Sequence, residues 1–184
     1  MIRSRPLRRG ALRAPLFIAV VLLAVAFSRC GTGDDSSDAP GGPITAKVTH
    51  VVDGDTIDVE LPEGDEETVR YIGIDTPETV KPDAPVECGG PRAHAVNERL
   101  VGGRTVTLRF DQEARDVYDR LLAYVYVPPA GAGGKPLFVN AELIRRGLAR
   151  TLTIEPNDSF AALFARLAAR AGAAGRGLWG RCPL

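Results

Sequence analysis

Two acidic segments, Asp53-Gly54-Asp55-Thr56 and Asp75-Thr76-Pro77-Glu78, flank Arg70, and a second arginine closes the later segment Asp116-Val117-Tyr118-Asp119-Arg120. Carboxylates are the hard oxygen ligands that a divalent cation takes, and one of them can accept the proton of an attacking water. Guanidinium forks match the oxygens of a phosphoryl group in geometry and charge. Together these residue types suit cation-assisted phosphate chemistry. Singly each is ordinary: Asp-Gly is a common turn, Thr-Pro an ordinary strand exit, and an exposed arginine is usually solvated.

Their convergence depends on the strands around them. Ile44 to Val52 alternates apolar and polar residues and breaks at Asp-Gly, and Thr56 to Leu61 and Thr68 to Ile74 read as the next two strands. Pro62-Glu63-Gly64-Asp65 supplies a fixed φ and a permissive glycine, so the turn should centre near Glu63 and Gly64. Position n then faces about 127 − n, which sets Asp55 opposite Ile72, roughly 7 Å along the strand from Arg70 and roughly 10 Å from Asp75. The alternation puts Arg70 on the side of Ile72 and Ile74, where a charge is costly unless that end of the sheet opens onto a ligand.

Arg104 to Phe110 and Arg120 to Val127 complete five strands. Pro91 to Leu100 reads as a helix with a proline start; Asn140 is expected to cap a helix through Arg146 that stops at Gly147; Asp158 is expected to cap a longer one through about Ala171. Phe160, Leu163, Phe164 and Leu167 form an apolar stripe on that last helix. The expected fold is α+β, mainly β: a five-stranded barrel of the oligonucleotide-binding type with about three helices, against an open α+β sandwich as the competing arrangement.

The chain ends bear on compartment. Residues 1–30 carry five N-terminal arginines before an apolar run of 12, Leu16 to Phe27, too short to span a bilayer comfortably and suited to a signal peptide. Ala24-Val25-Ala26 suits ordinary cleavage, and Cys30 followed by Gly31 is a candidate lipidation site, with Arg29 unfavourable to it. Residues 31–43, rich in Gly, Ser, Asp and Pro, read as a flexible linker. The remaining residues, 44–184, fit one domain with 17 basic and 20 acidic groups, a net charge of −3, so a polyanion must be gripped by local arginines or a metal rather than by bulk charge. Cys88 and Cys182, the domain's only cysteines, read as a disulfide in an exported protein. Its two histidines, His50 and His94, have no zinc-ligand spacing with either cysteine.

Ordered blocks across 44–182 resemble the staphylococcal nuclease (thermonuclease) family: Val52 to Thr56, Val69-Arg70, Gly73 to Glu78, Tyr118 to Val125, Val139-Asn140 with Leu143 and Gly147, and Gly177-Leu178-Trp179. The resemblance implies that Asp55 and Asp75 bind calcium, with the Thr76 backbone carbonyl as a further ligand. Glu78 matches the residue that activates or orients water, Arg70 and Arg120 match the arginines that hold the phosphate and stabilise its transition state, and Tyr118 matches a substrate-contacting tyrosine. Asp53 either aids the metal through water or shapes the turn. The implied reaction is hydrolysis of DNA or RNA phosphodiesters to 3′-phosphate products outside the cytoplasm, by a chain whose default state is monomeric. Departures from the family pattern bear on the substrate: Val117 stands at a basic position, Asp119 at a glycine, and Leu152 and Ile154 at tyrosines that contact the nucleotide.

Two other functions compete. A binding module on the same barrel would hold nucleic acid without cleaving it and without regard to chelation. A structural lipoprotein with calcium-binding turns would gain stability from calcium and ignore a nucleotide 3′,5′-bisphosphate.

Overall fold

The computed structural model describes residues 42–79, 85–131 and 133–182. The expected signal peptide, the candidate lipidation site Cys30 and most of the expected linker therefore lie outside the described residues. Five strands close into a barrel: β1 (Ile44–Val51), β2 (Thr56–Glu60), β3 (Glu66–Tyr71), β5 (Thr105–Arg109) and β6 (Leu121–Val127). Their order is β3-β2-β1-β5-β6, and a parallel β3–β6 pairing joins the edges. Every other contact around the barrel is antiparallel. The closed barrel, rather than the open sandwich, is the architecture.

Alternation builds the core. Ala46, Val48, Ile57, Val59, Val69, Tyr71, Val106, Leu108, Ala123 and Val125 point inward and are buried. In β1 the inward series shifts phase between Val48 and Val51, where a bulge interrupts its register with β2. Such a bulge bends a strand, which lets β1 serve both β2 and β5.

The hairpin register is one residue off the expected one. Thr56 faces Arg70 and Glu60 faces Glu66, so position n faces 126 − n. Leu61 N–H donates to the Asp65 carbonyl at 2.8 Å and Gly64 N–H to the Leu61 carbonyl at 2.9 Å, centring the loop on Glu63. Asp55 thus lies opposite Tyr71, whose N–H donates to the Asp55 carbonyl at 2.9 Å.

Thr68 to Ile74 is also not one strand. Gly73, at φ 79°, breaks it, and β4 (Gly73–Asp75) pairs instead with β8 (Arg150–Leu152), a short exposed strand without an alternating pattern. A two-residue β7 (Leu137–Phe138) extends the sheet beside β6. The helices are α1 (Gly90–Val101), α2 (Val139–Arg145), α3 (Ala161–Ala173) and a four-residue α4 (Leu178–Arg181).

Neither expected helix cap forms. Asn140 is fully buried in the first turn of α2, where its Oδ1 accepts from Val125 N–H at 2.9 Å and its Nδ2 donates to the Ile72 carbonyl at 2.9 Å. It ties the barrel wall to the bend after β3. Asp158 contributes its backbone carbonyl to Ala161 N–H at 2.8 Å, and α3 begins without a side-chain cap. Phe164 of α3 is buried among Tyr124, Phe138 and Phe160, with ring centroids 4.7 to 6.3 Å apart, which packs α3 against the outer face of β6. Cys88 and Cys182 form a disulfide that ties the segment before α1 to the C-terminal turn.

Candidate active site

The turn between β1 and β2 carries the first acidic group into the protein. Val52 and Asp53 N–H groups both reach the Thr56 carbonyl, at 3.0 and 3.2 Å, and Asp53 Oδ1 accepts from Asp55 N–H at 3.0 Å. Gly54 packs against the second acidic segment: a Cβ there would lie 2.6 Å from Thr76 Oγ1 and 2.8 Å from Ala93 Cβ. Only glycine permits that approach without displacement. Asn97 of α1 supports the turn from below, donating to the Asp53 carbonyl at 3.0 Å and accepting from the Tyr71 hydroxyl at 3.0 Å.

Asp55 is 3% exposed. Its Oδ2 accepts from Thr76 N–H at 2.6 Å and pairs with Arg70 Nη1 at 3.0 Å. Arg70 Nη2 pairs with Asp75 Oδ1 at 3.2 Å, and Nη1 donates to the Ile74 carbonyl at 3.0 Å. One guanidinium therefore gathers both carboxylates, as the hairpin argument anticipates despite the register error. Burial pushes the Asp55 carboxyl up to about 7; the Arg70 charge opposes this and the Asp53 charge adds to it. A buried carboxylate of this kind favours a nearby cation beyond the one arginine.

The donor set fits a hard divalent ion. Asp55 and Asp75 both pair with Arg70, the first from a buried position and the second from an exposed one, and buried Thr76 Oγ1 has no hydrogen-bond partner among the described residues. Among those residues no group of three or more His, Cys, Asp or Glu gathers at metal-ligand spacing. Two carboxylates and a carbonyl would thus leave most of the six to eight oxygen positions typical of calcium to water and a phosphate.

Glu78 follows β4 in a half-buried segment, where its N–H bonds Glu87 Oε2 at 3.3 Å and its carbonyl accepts from Glu87 N–H at 3.0 Å. Thr79 N–H donates to Glu78 Oε1 at 2.9 Å. Thus Glu87 holds the Glu78 backbone on both sides of the peptide, and Thr79 N–H bonds the carboxylate itself.

Arg120 opens onto the same cavity as Arg70, a cleft of about 500 Å³ also lined by Tyr118, Asp116, Leu152 and Ile154. Asp116 holds it: Oδ2 accepts from Arg120 Nε at 2.7 Å and from Nη2 at 2.6 Å, while Oδ1 accepts from the Tyr118 and Arg120 N–H groups at 2.9 and 3.0 Å. Although burial would raise the Asp116 carboxyl, these bonds lead it to sit below its ordinary range. Asp116 is a positioning residue that residue-type reasoning left unassigned. The signal was present in its spacing, four residues before Arg120 and two before Tyr118, which is that of an Asx turn with an i,i+4 ion pair.

Asp119 sits at φ 65°, the left-handed region in which glycine is at ease. The Arg120 guanidinium lies 5.4 Å from the exposed Tyr118 ring. At the mouth, beside the Tyr118 ring, Val117 is 92% and Ile154 64% exposed, so aliphatic side chains make up part of the rim.

Residues 68–181 match the family model described as staphylococcal nuclease homologue. The chain is similar to the thermonuclease of Staphylococcus hyicus, at 36% identity over 143 residues, 77% of this chain and 80% of that one. It is 38% identical over 148 residues to the thermonuclease of Staphylococcus intermedius, 79% of this chain and 82% of that one. Endonuclease YncB of Bacillus subtilis is 41% identical over 119 residues, 64% of this chain and 53% of that protein. With matches over most of the domain and a barrel that carries the paired carboxylates and both arginines, the chain belongs to the staphylococcal nuclease family.

Proposed function

We propose that the protein is an exported, calcium-dependent nuclease that hydrolyses DNA or RNA phosphodiesters and leaves 3′-phosphate products. The observation that carries the reading is the convergence of Asp55 and Asp75 on Arg70, with Arg70 and Arg120 opening onto one cleft. Relatives with the names thermonuclease and endonuclease support the reaction class.

Calcium held by Asp55, Asp75 and the Thr76 carbonyl would offset phosphate charge. Glu78 accepts the proton of the attacking water. Arg70 and Arg120 direct guanidinium charge and their remaining N–H groups at the phosphoryl oxygens as negative charge builds on them, while Asp116, by taking the Nε and Nη2 edge of Arg120, fixes the direction of its other N–H groups in advance. Asp53 shapes the turn through its bond to Asp55 N–H. Tyr118 offers a ring face to the substrate beside Arg120.

Export is supported by the N-terminal apolar run and by the disulfide, which belongs in an oxidising compartment. Residues 1–30 act as the leader and 31–43 as the linker to the nuclease domain, 44–184. Retention in the membrane fraction that is lost in Cys30→Ala would establish a lipid anchor; unchanged fractionation would favour cleavage after Ala26. The protein is expected to sediment as a monomer.

The test is cleavage of single-stranded DNA with calcium and with chelator. Glu78→Gln should lower kcat about 10² to 10⁴-fold with little change in KM. Full activity of that variant, or binding without metal-dependent turnover, would favour a non-catalytic nucleic-acid-binding module.

A further inference from the structure

A second hollow of about 500 Å³ has Arg92, Arg99, Arg145, Arg146, Arg176 and Arg181 on its walls, with Val96 and Leu148 among the other lining residues. The domain has only 17 basic groups and a net charge of −3, so the gathering of six of them runs against its overall charge.

Three separate elements bring these arginines together. Arg92, Val96 and Arg99 share one face of α1 at i, i+4 and i+7, which sets the two arginines about 10 Å apart along the axis. Arg145 and Arg146 end α2, and both pair with the single carboxylate of Glu142 at 2.6 Å. Arg176 reaches the Arg145 carbonyl at 3.2 Å. Arg181 ends α4, whose Leu178 N–H donates to the Gly147 carbonyl at 2.8 Å, and the adjoining Cys182 is cross-linked to Cys88 just ahead of α1. Among the described residues Arg92, Arg99 and Arg181 form no ion pair with a carboxylate, and all six arginines are exposed. Like charges held at close quarters by a disulfide and backbone bonds repel one another and raise the local potential for anions.

Helix α1 connects the hollow to the acidic segment of the first site. Gly90 lies so close to the segment after β4 that a Cβ would stand 2.9 Å from the Pro77 carbonyl and 3.0 Å from the Glu78 carbonyl. Thus α1 starts against Glu78 and carries Arg92 two residues later. We propose that this hollow is a second phosphate-binding site, which takes the sugar-phosphate backbone of a nucleic-acid strand extending from the cleft past Glu78. The inference rests on the reading of the first site as a phosphodiesterase. Guanidiniums lining a concave wall on several elements suit a strand passing between them better than a flat lipid surface, which they could not all reach at once.

The experiment compares a strand of about thirty nucleotides with a dinucleotide phosphodiester over a range of salt concentrations. The proteins are the wild type, Arg92→Glu/Arg99→Glu, and Arg166→Glu on an exposed part of α3 outside the hollow. The wild type should favour the long strand. The double variant should lose about tenfold in kcat/KM on it, mainly through KM, and its log–log salt slope should flatten by about 1.4, or 0.7 per lost phosphate contact. Arg166→Glu should keep the wild-type length preference. A double variant that keeps both length preference and salt slope overturns the proposal. So does one that loses only its binding to phosphatidylglycerol vesicles, which would assign the hollow to anionic lipid. If the wild type cleaves neither substrate, the reading of the first site fails, and fluorescence anisotropy of the long strand in chelator decides the hollow alone: weaker binding by the double variant supports it and equal binding refutes it.

Discussion

Arg70 and Arg120 open onto one cleft, and different forces hold them there. Arg70 is 16% exposed, lies within β3, and is fixed by a buried carboxylate, a second carboxylate and the Ile74 carbonyl. Arg120 is 33% exposed and depends on Asp116, four residues earlier in its own loop. The first arginine belongs to the electrostatics of the core, because it is the positive charge that opposes the effect of burial on Asp55. The second belongs to a local turn that the barrel supports but does not enclose. Stability and catalysis should therefore separate at one arginine and not at the other.

The largest expected effect tests that contrast directly. Arg70→Ala should lower cleavage about 10³-fold and also cost about 2 kcal/mol of stability at neutral pH, since the Asp55 carboxyl, already pushed up to about 7, takes a proton once the guanidinium is gone and the charge-assisted bonds to Asp55, Asp75 and the Ile74 carbonyl are lost. Arg120→Ala should lower cleavage comparably, with stability within about 0.5 kcal/mol of wild type, as for an ion pair with partial solvent access. Urea unfolding alongside steady-state kinetics gives both numbers. Equal stability losses would erase the distinction between the two arginines.

Acid and base should sharpen it, because the two carboxylates partnering these arginines shift in opposite directions. Asp55 moves from 3.8 up to about 7 in the folded protein, so the folded state holds a proton that the unfolded chain has released. Its contribution to stability is full below about pH 4 and is lost as pH rises through about 7. Asp116 is depressed, so its contribution is present above its unfolded value and is lost as pH falls through the folded one. In calcium-free protein, Asp55→Asn should remove a decline in stability between about pH 4 and 7, whereas Asp116→Asn should remove a loss on the acid side. Added calcium should reverse the Asp55 trend, since a bound cation favours the ionised carboxylate. Thermal unfolding across pH measures each slope.

The barrel and the acidic pair were legible because each rests on a local pattern. Alternation marks the strands, Asp-Gly ends the first, and the Pro62 to Asp65 turn brings Arg70 back beside Asp55 even with the register one residue out. What was not legible depends on tertiary partners. Asn140 is a residue type that favours caps, yet its amide turns inward to bond the Val125 N–H and the Ile72 carbonyl. The β4–β8 pairing arises from the break at Gly73 and a strand with no buried face. The six arginines of the second hollow are scattered over α1, α2 and the C-terminal segment, so no window of sequence reveals them together.

The smallest expected effect concerns the cleft mouth on the Arg120 side. Val117 is 92% exposed beside Tyr118, and its side chain can neither stack on a base nor attract a phosphate. Val117→Lys adds a cation at the rim without touching the Asp116–Arg120 pair or the Asp55–Arg70 pair. It should lower KM about threefold at low salt, with the gain fading toward 0.5 M as screening shortens the Debye length to a few ångströms, and leave kcat and stability unchanged. A change in kcat would mean that the rim and the Arg120 loop are coupled more tightly than their separate hydrogen bonds indicate. A gain that survives high salt would mean that the lysine stem acts by apolar contact, which would assign the aliphatic rim itself a part in gripping the substrate.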